Sequence, residues 1–340
     1  MDKPSEVSVE RYWNQLLAPY MKSDNRKAWF QLSTTCAMFA GNWYLMLLSL
    51  EGPYWVTLLL ALFGVGMFTR MFIFQHDCGH ASFFNSRSLN NAVGIFLGFL
   101  TLTPYFYWRR AHAHHHATSG DLDRRSLGDV DTLTVKEYIA LSRWGRIKYR
   151  LYRHPVTLFV LGGIWLFILK HRFPWDIPRT WKKEWASVIW TNLAVLGIIA
   201  LAWKLIGIER FLLVQLPITI IGGSVGIWLF YIQHQFEDTY WRNTTEWDFH
   251  RAGIEGSSLY DLPSVLHWFT GNIGFHHIHH LASRIPNYRL KECFRKVPEV
   301  HGVTRLTFWQ SLRSARLHLW DEESRKLVGF AFLRTLQLEA

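Results

Sequence analysis

Cysteine is scarce in this chain: three residues in 340, Cys36, Cys78 and Cys293, with no CxxC pair among them. An odd number at wide spacing offers neither a disulfide framework nor a thiolate metal site, so any metal or redox chemistry must use other side chains. There is no GxGxxG loop for a dinucleotide, no internal repeat and no low-complexity tract. The N-terminus lacks the short basic stretch and apolar core of a cleaved signal. The first apolar run starts only near Trp29, which predicts a retained span.

What is present is apolar and aromatic surface. Hydrophobic residues make up 49% of the chain, with 18 Trp and 24 Phe, yet the mean hydropathy is close to zero. Very apolar stretches therefore alternate with charged ones, the pattern of a membrane protein with large aqueous parts. The net charge of +11 does not point to nucleic acid, because Lys and Arg flank apolar runs as they do in cytoplasmic loops.

A membrane-spanning helix needs about 20 mainly apolar residues. Residues 29–50, 54–74, 186–206 and 211–232 qualify, as two pairs joined by the short links 51–53 and 207–210. Each pair reads as a hairpin that enters and leaves on one side. Two shorter apolar stretches, 92–108 and 156–169, are expected to lie as interfacial or re-entrant helices against the cytoplasmic face, because a single crossing by either would put the histidine groups on opposite faces. The basic segments place the termini and the histidines in the cytoplasm. The expected fold class is all-α: one polytopic membrane domain over 1–340, four transmembrane helices in two hairpins, interfacial helices, and a cytoplasmic helical cap built from about 75–185 and 233–340. Residues 306–330 show apolar positions at roughly helical spacing and read as a surface helix.

The 17 histidines are clustered. "HDCGH" sets His76 and His80 at i, i+4. "HAHHH" sets His112, His115 and His116 at i, i+3, i+4, and "HHIHH" repeats that spacing with His276, His279 and His280. "IQHQF" adds His234. On a helix these spacings fall within an arc of about 100° on one face, whereas His114 lies about 200° from His112 and His277 about 100° from His276. Eight or nine imidazoles exceed the four or five ligands of one ion, so two metals are implied. An all-nitrogen donor set suits iron, zinc or copper. The membrane setting favours iron, since a two-metal hydrolase would more usually recruit bridging carboxylates.

"HDCGH", "HAHHH" followed by "ATSGDLDRR", and "HHIHH" resemble the three histidine boxes of the membrane-bound fatty acid desaturases. Their form is most similar to the omega-6 (delta-12) and omega-3 acyl-lipid branch. The resemblance implies a di-iron site with His76, His80, His112, His115, His116, His276, His279 and His280 as ligands. It also implies a ninth after the last span, for which His234 matches better than His250 or His267. It implies no catalytic side chain beyond the metal ligands, and an enzyme that uses O2 and two electrons to place a cis double bond in a lipid-linked fatty acyl chain, of delta-12/omega-6 type. His154, His171, His301 and His318 have no motif around them and are expected at the surface or in packing.

Metal-bound histidines usually donate their other ring N–H to carboxylates or carbonyls. Asp77, Asp121, Asp123, Asp129, Asp131, Glu237, Asp238 and Asn272 lie close enough in sequence for that role or for a solvated surface. The run "PYFYW", 104–108, reads as lining for an acyl tunnel or as interfacial anchoring, and Arg109 and Arg110 as the point where the chain leaves the interface for water. The chain has no haem-binding HPGG motif and no cysteine set for an iron–sulfur cluster. Electrons are therefore expected from a partner; the resemblance to the desaturases implies ferredoxin, an acidic protein that a basic face would suit, rather than cytochrome b5. Alternatives are a related di-iron hydroxylase or ketolase acting on alkane, sterol or carotenoid, and a membrane metal-binding or transport protein, which would place ionisable ligands within the spans.

Overall fold

The computed structural model describes residues 6–125 and 128–336. Helix dominates and strand is sparse. After α1 (Glu6–Leu17), α2 (Asn25–Ser49) starts at Asp24, whose carboxylate accepts from the Arg26 and Lys27 amides, the usual way an N-cap satisfies the first free donors. The 51–53 link turns the chain into α3 (Tyr54–Gly79), which runs past residue 74 and so carries His76 in its last turn and His80 at its C-cap. α4 (Arg87–Leu100) meets α5 (Tyr105–Thr118) at a 104° bend. Leu102 sits at φ +57 in that corner and Pro104 opens α5.

The stretch 92–108, expected as an interfacial or re-entrant helix, is a corner shared by two helices, because Pro104 cannot continue the first. Short α6 (Val135–Ala140) and α7 (Arg143–Tyr152) follow, and a 65° bend leads into α8 (Val156–Arg172), wound largely as π-helix. The second expected interfacial stretch, 156–169, falls within α8. It lies against α10 (Ile208–His234) at a glycine contact: a Cβ on Gly163 would come within 2.8 Å of the Gly223 carbonyl carbon. Small residues allow such close approach of helix backbones. α9 (Lys182–Ile206) is separated from α10 by Gly207 alone, at φ 84°, ψ 145°. That conformation is essentially restricted to glycine, so the hairpin reverses in one residue rather than the four expected.

Among the described residues three helices, α3, α9 and α10, are long and apolar enough to cross a membrane, or five if each bent pair, α4 with α5 and α7 with α8, counts as one span. α2, the expected first span, has the length but not the apolarity of these three.

The rest of the chain is short elements: α11 (Phe249–Glu255), α12 (Ser264–Phe269), α13 (His276–Leu281), α14 (Asn287–Lys296), α15 (Phe308–Ser314) and α16 (Phe332–Leu336). Five strands join them: β1 (Leu133–Thr134), β2 (Leu259–Asp261), β3 (Arg305–Thr307), β4 (Leu319–Asp321) and β5 (Lys326–Val328). β2 and β3 pair in parallel, and the other three form a sheet in the order β1-β4-β5.

The surface helix expected at 306–330 is therefore replaced by strand, one short helix and a hairpin. Leu319, Trp320 and Leu327 are buried against Val135, Tyr138 and Tyr149 and against Leu122 and Trp241. Those partners lie far away in sequence, and the local spacing carries no trace of them.

Candidate metal centre

α3, α5 and α10 end close together, and α13 packs beneath them. Local structure explains how the last box gets there. The Tyr260 amide donates to the Gly274 carbonyl at 2.8 Å and Leu259 bridges to Phe275, so β2 fixes the approach to α13. On α3, the Arg70 guanidinium donates to the Trp268 carbonyl and lies 4.3 Å from the Trp268 ring centroid. It thereby ties the end of α12 to the helix that carries His76.

Nine histidines converge in two groups. His76, His80, His112, His116 and His279 form one, and His115, His234, His276 and His280 the other. Within each group, one nitrogen per ring lies within 4.8 Å of all the others. The nine are the residues expected from the sequence, but their division is not. Each HxxHH box was expected to aim its three rings at one point. Instead His112 and His116 belong to the five-histidine group and His115 to the other, while His276 and His280 belong to the four-histidine group and His279 to the first. The i, i+4 pair of each box serves one group and its i+3 residue serves the neighbour. The four-histidine group is buried throughout, whereas His80 and His116 are half-buried.

The hydrogen bonds of these rings test whether a cation fits. His115 Nδ1 donates to the Asp129 carboxylate, and His234 Nδ1 donates to the Gly256 carbonyl at 2.9 Å. With Nδ1 protonated, a neutral ring presents a lone pair at Nε2. The Nε2 atoms of His115 and His234 nevertheless face each other at 3.1 Å, and His234 Nε2 faces His276 Nε2 at 2.9 Å. In the other group His116 Nε2 lies 3.1 Å from His112 Nε2 and 3.0 Å from His279 Nε2, although one nitrogen has only one proton to give. Lone pairs so placed repel unless a cation lies between them. Two nitrogens each about 2.1 Å from one ion, at right angles, stand about 3 Å apart, so the spacing fits. His80 Nε2 and His280 Nε2 are buried with no protein partner.

Burial, followed by the neighbouring histidines, holds His276, His279 and His280 well below the ordinary imidazole range. They are neutral at pH 7, as metal ligation requires.

Of the eight polar residues expected around the rings, two reach them. Asp77 accepts from His76 Nδ1 at 3.2 Å, and Asp129 holds His115. Asp121 and Asp123 instead bind Thr244, Glu237 and Asp238 pair with Lys326, Asp131 receives Arg153 on its carbonyl, and Asn272 bonds Asn287. Sequence reading missed Asn287, whose amide and side chain donate to the second Asp77 oxygen at 2.7 and 2.9 Å, and the Gly256 carbonyl. It also missed Arg153, buried without a carboxylate and donating to Thr132, Tyr231 and Gln235 behind His234.

The remaining histidines stay outside both groups. His114 lies near the Thr118 hydroxyl, His277 packs on Phe294, His267 stacks on Phe275 at 4.9 Å, and His250 packs on Phe249. His171 is buried between Tyr107 and Phe167, His318 stacks on Phe330, and His154 and His301 are exposed. The "PYFYW" run braces the site from within: Tyr105 donates to the Cys78 carbonyl, Tyr107 to Asp176, and Trp108 stacks on His112 at 4.6 Å. Arg109 and Arg110 lie inside α5, bound to Asn91 and Glu184, so the chain does not leave an element there.

Comparison with known proteins decides what kind of protein carries this arrangement. A family model described as fatty acid desaturase matches residues 52–311. A Bacillus subtilis (strain 168) protein named fatty acid desaturase is 42% identical over 334 residues, covering 98% of this chain and 94% of that one. The chain belongs to the fatty acid desaturase family. More distant relatives of this desaturase include a Trichosanthes kirilowii delta(12)-oleate desaturase, 27% identical with 76% and 73% of the two chains covered. Another is a Nostoc sp. (strain 36) protein named sn-1 acyl-lipid omega-3 desaturase (ferredoxin), 25% identical with 72% and 69% covered. The desaturase thus has, on the described residues, a histidine cluster able to bind metal and helices apolar enough for a membrane.

Proposed function

We propose that this desaturase introduces a cis double bond into a lipid-linked fatty acyl chain, with two iron ions held by the nine histidines, His76, His80, His112, His116 and His279 at one and His115, His234, His276 and His280 at the other. The observation that carries this reading is the close facing of Nε2 ring nitrogens at 2.9–3.1 Å in both groups. Bound there, the two irons would supply the use of dioxygen that an unactivated C–H bond requires.

The residues of the chain do the rest. Asp77, Asp129 and the Gly256 carbonyl hold Nδ1–H of His76, His115 and His234, which fixes each ring's orientation and directs the opposite nitrogen inward. Phe230, 4.9 Å from His115 and 5.7 Å from His234, and Trp108 over His112 shield the rings from water. No side chain beyond these ligands is assigned a catalytic role.

The likeness of the boxes to the omega-6 and omega-3 branch, supported by the delta(12)-named relative, makes the delta-12 position the one to test first. In the same reading the chain is one membrane domain over 1–340 with four spans, and its termini and histidines face the cytoplasm. A ferredoxin supplies the electrons, as the printed name of the Nostoc relative suggests for that protein. Expression in a host lacking polyunsaturated lipids, with mass-spectrometric location of new double bonds, tests the proposal. A cis bond at delta-12 is expected. New bonds elsewhere would correct the position, and hydroxylated lipid in place of new bonds would overturn the reaction.

A further inference from the structure

The two histidine groups differ in how they can be reached, and the surfaces above them differ in charge. We propose that an acidic one-electron carrier docks on the basic corner formed by α4, α5 and the start of α9, over the five-histidine group; this rests on the reading of the protein as an O2-dependent desaturase. Each turnover then takes up O2, two electrons and two protons, removes two hydrogens from the acyl chain and releases two waters, so such a carrier must visit twice.

Access comes first. The four-histidine group is buried throughout, and the half-buried rings His80 and His116 both belong to the five-histidine group. At 100° per residue, Ala113, Ala117 and Arg110 form one stripe of α5, bordered by Arg109 and His116. Both alanines are exposed, and they leave little side chain between a docked partner and the edge of the His116 ring.

Charge points the same way. Residues 80–119 contain Arg87, Arg109 and Arg110 and no acid. Lys182 and Lys183 are exposed beside them. The Arg110 guanidinium lies 3.5 Å from the Trp181 ring centroid and the Lys183 ammonium 3.9 Å from that of Phe106, which joins α5 to the start of α9. Glu184 pairs with Arg110 and leaves the other cations free of it. Around the four-histidine group acids outnumber bases: residues 121–132 carry four aspartates against two arginines, and 237–261 six acids against two arginines, joined by Lys326 on Glu237 and Asp238 and by Arg305 on Asp261. An acidic carrier is drawn to the first surface and repelled by the second.

The test uses the full chain in phosphatidylcholine nanodiscs with reduced [2Fe–2S] ferredoxin as donor, and dithionite as a small donor that needs no docking surface. The double variants Ala113→Glu/Ala117→Glu and Lys182→Glu/Lys183→Glu are expected to raise KM for ferredoxin on the order of tenfold at low ionic strength. Iron content and dithionite-driven turnover should not change, and the difference should shrink as salt is added. An unchanged ferredoxin KM in both variants would overturn the proposal. So would a fall in ferredoxin KM on Glu246→Lys with the corner variants unchanged, or an equal loss with both donors that anionic lipid reverses, which would assign the corner to lipid headgroups. A wild-type chain without iron, or inactive with either donor, would defeat the underlying reading of function rather than the choice of surface.

Discussion

Single side chains decide which nitrogen of each ring faces inward. Asp129 keeps the proton of His115 on Nδ1; without the carboxylate, the ring is free to turn or change tautomer. Asp129→Asn should therefore lower metal affinity about 10–100-fold with helix content unchanged, read by metal titration and circular dichroism. His116 faces both His112 and His279, so His116→Ala should lose metal and product, whereas His114→Ala, altering a ring that lies near Thr118, should keep both.

The pH behaviour follows from His276, His279 and His280. Their folded values lie below the ordinary imidazole value of about 6.5, so below that pH the unfolded chain binds protons the folded chain does not. Stability of the metal-free protein should be fully present above about pH 6.5 and fall as the pH drops further. Thermal melting from pH 8 to 5 checks the sign.

Helices and turns decide how these side chains meet, and here part of the site was legible. The spacing of His76 and His80, and of each HxxHH box, identified the residues on one helix face, and it excluded His114 and His277. It did not reveal that each box straddles two groups. A face about 100° wide can serve two neighbouring centres as easily as one, and only the packing of α13 against α5 decides between them. Asn287 was equally invisible, since its bond to Asp77 spans 210 positions of sequence. The hairpin of α9 and α10 was legible, but its one-residue link was not. Gly207→Ala adds no clash, because nothing lies within 4 Å of the added carbon, yet its positive φ should cost about 1–3 kcal/mol. A lower denaturation midpoint with unchanged activity in the surviving fraction is expected.

At the scale of the whole molecule, the apolar periodicity located the long helices, and the bends hid the rest. Pro104 signals a break but not its 104° angle, which turns α5 so that its histidines meet those of α3 on one side. The strand pairing of 305–328 depends on β2, on β1 and on buried aromatics far away in the chain, so a local reading could only see a helix.

The proposed chemistry requires two metal positions of unequal exposure. Iron content per chain, measured by mass spectrometry of the purified full-length protein alongside His279→Ala and His280→Ala, tests it directly. Two irons are predicted in the wild type, with His279→Ala depleting the accessible five-histidine site and His280→Ala the buried one. A wild-type chain that binds one ion or none would contradict it.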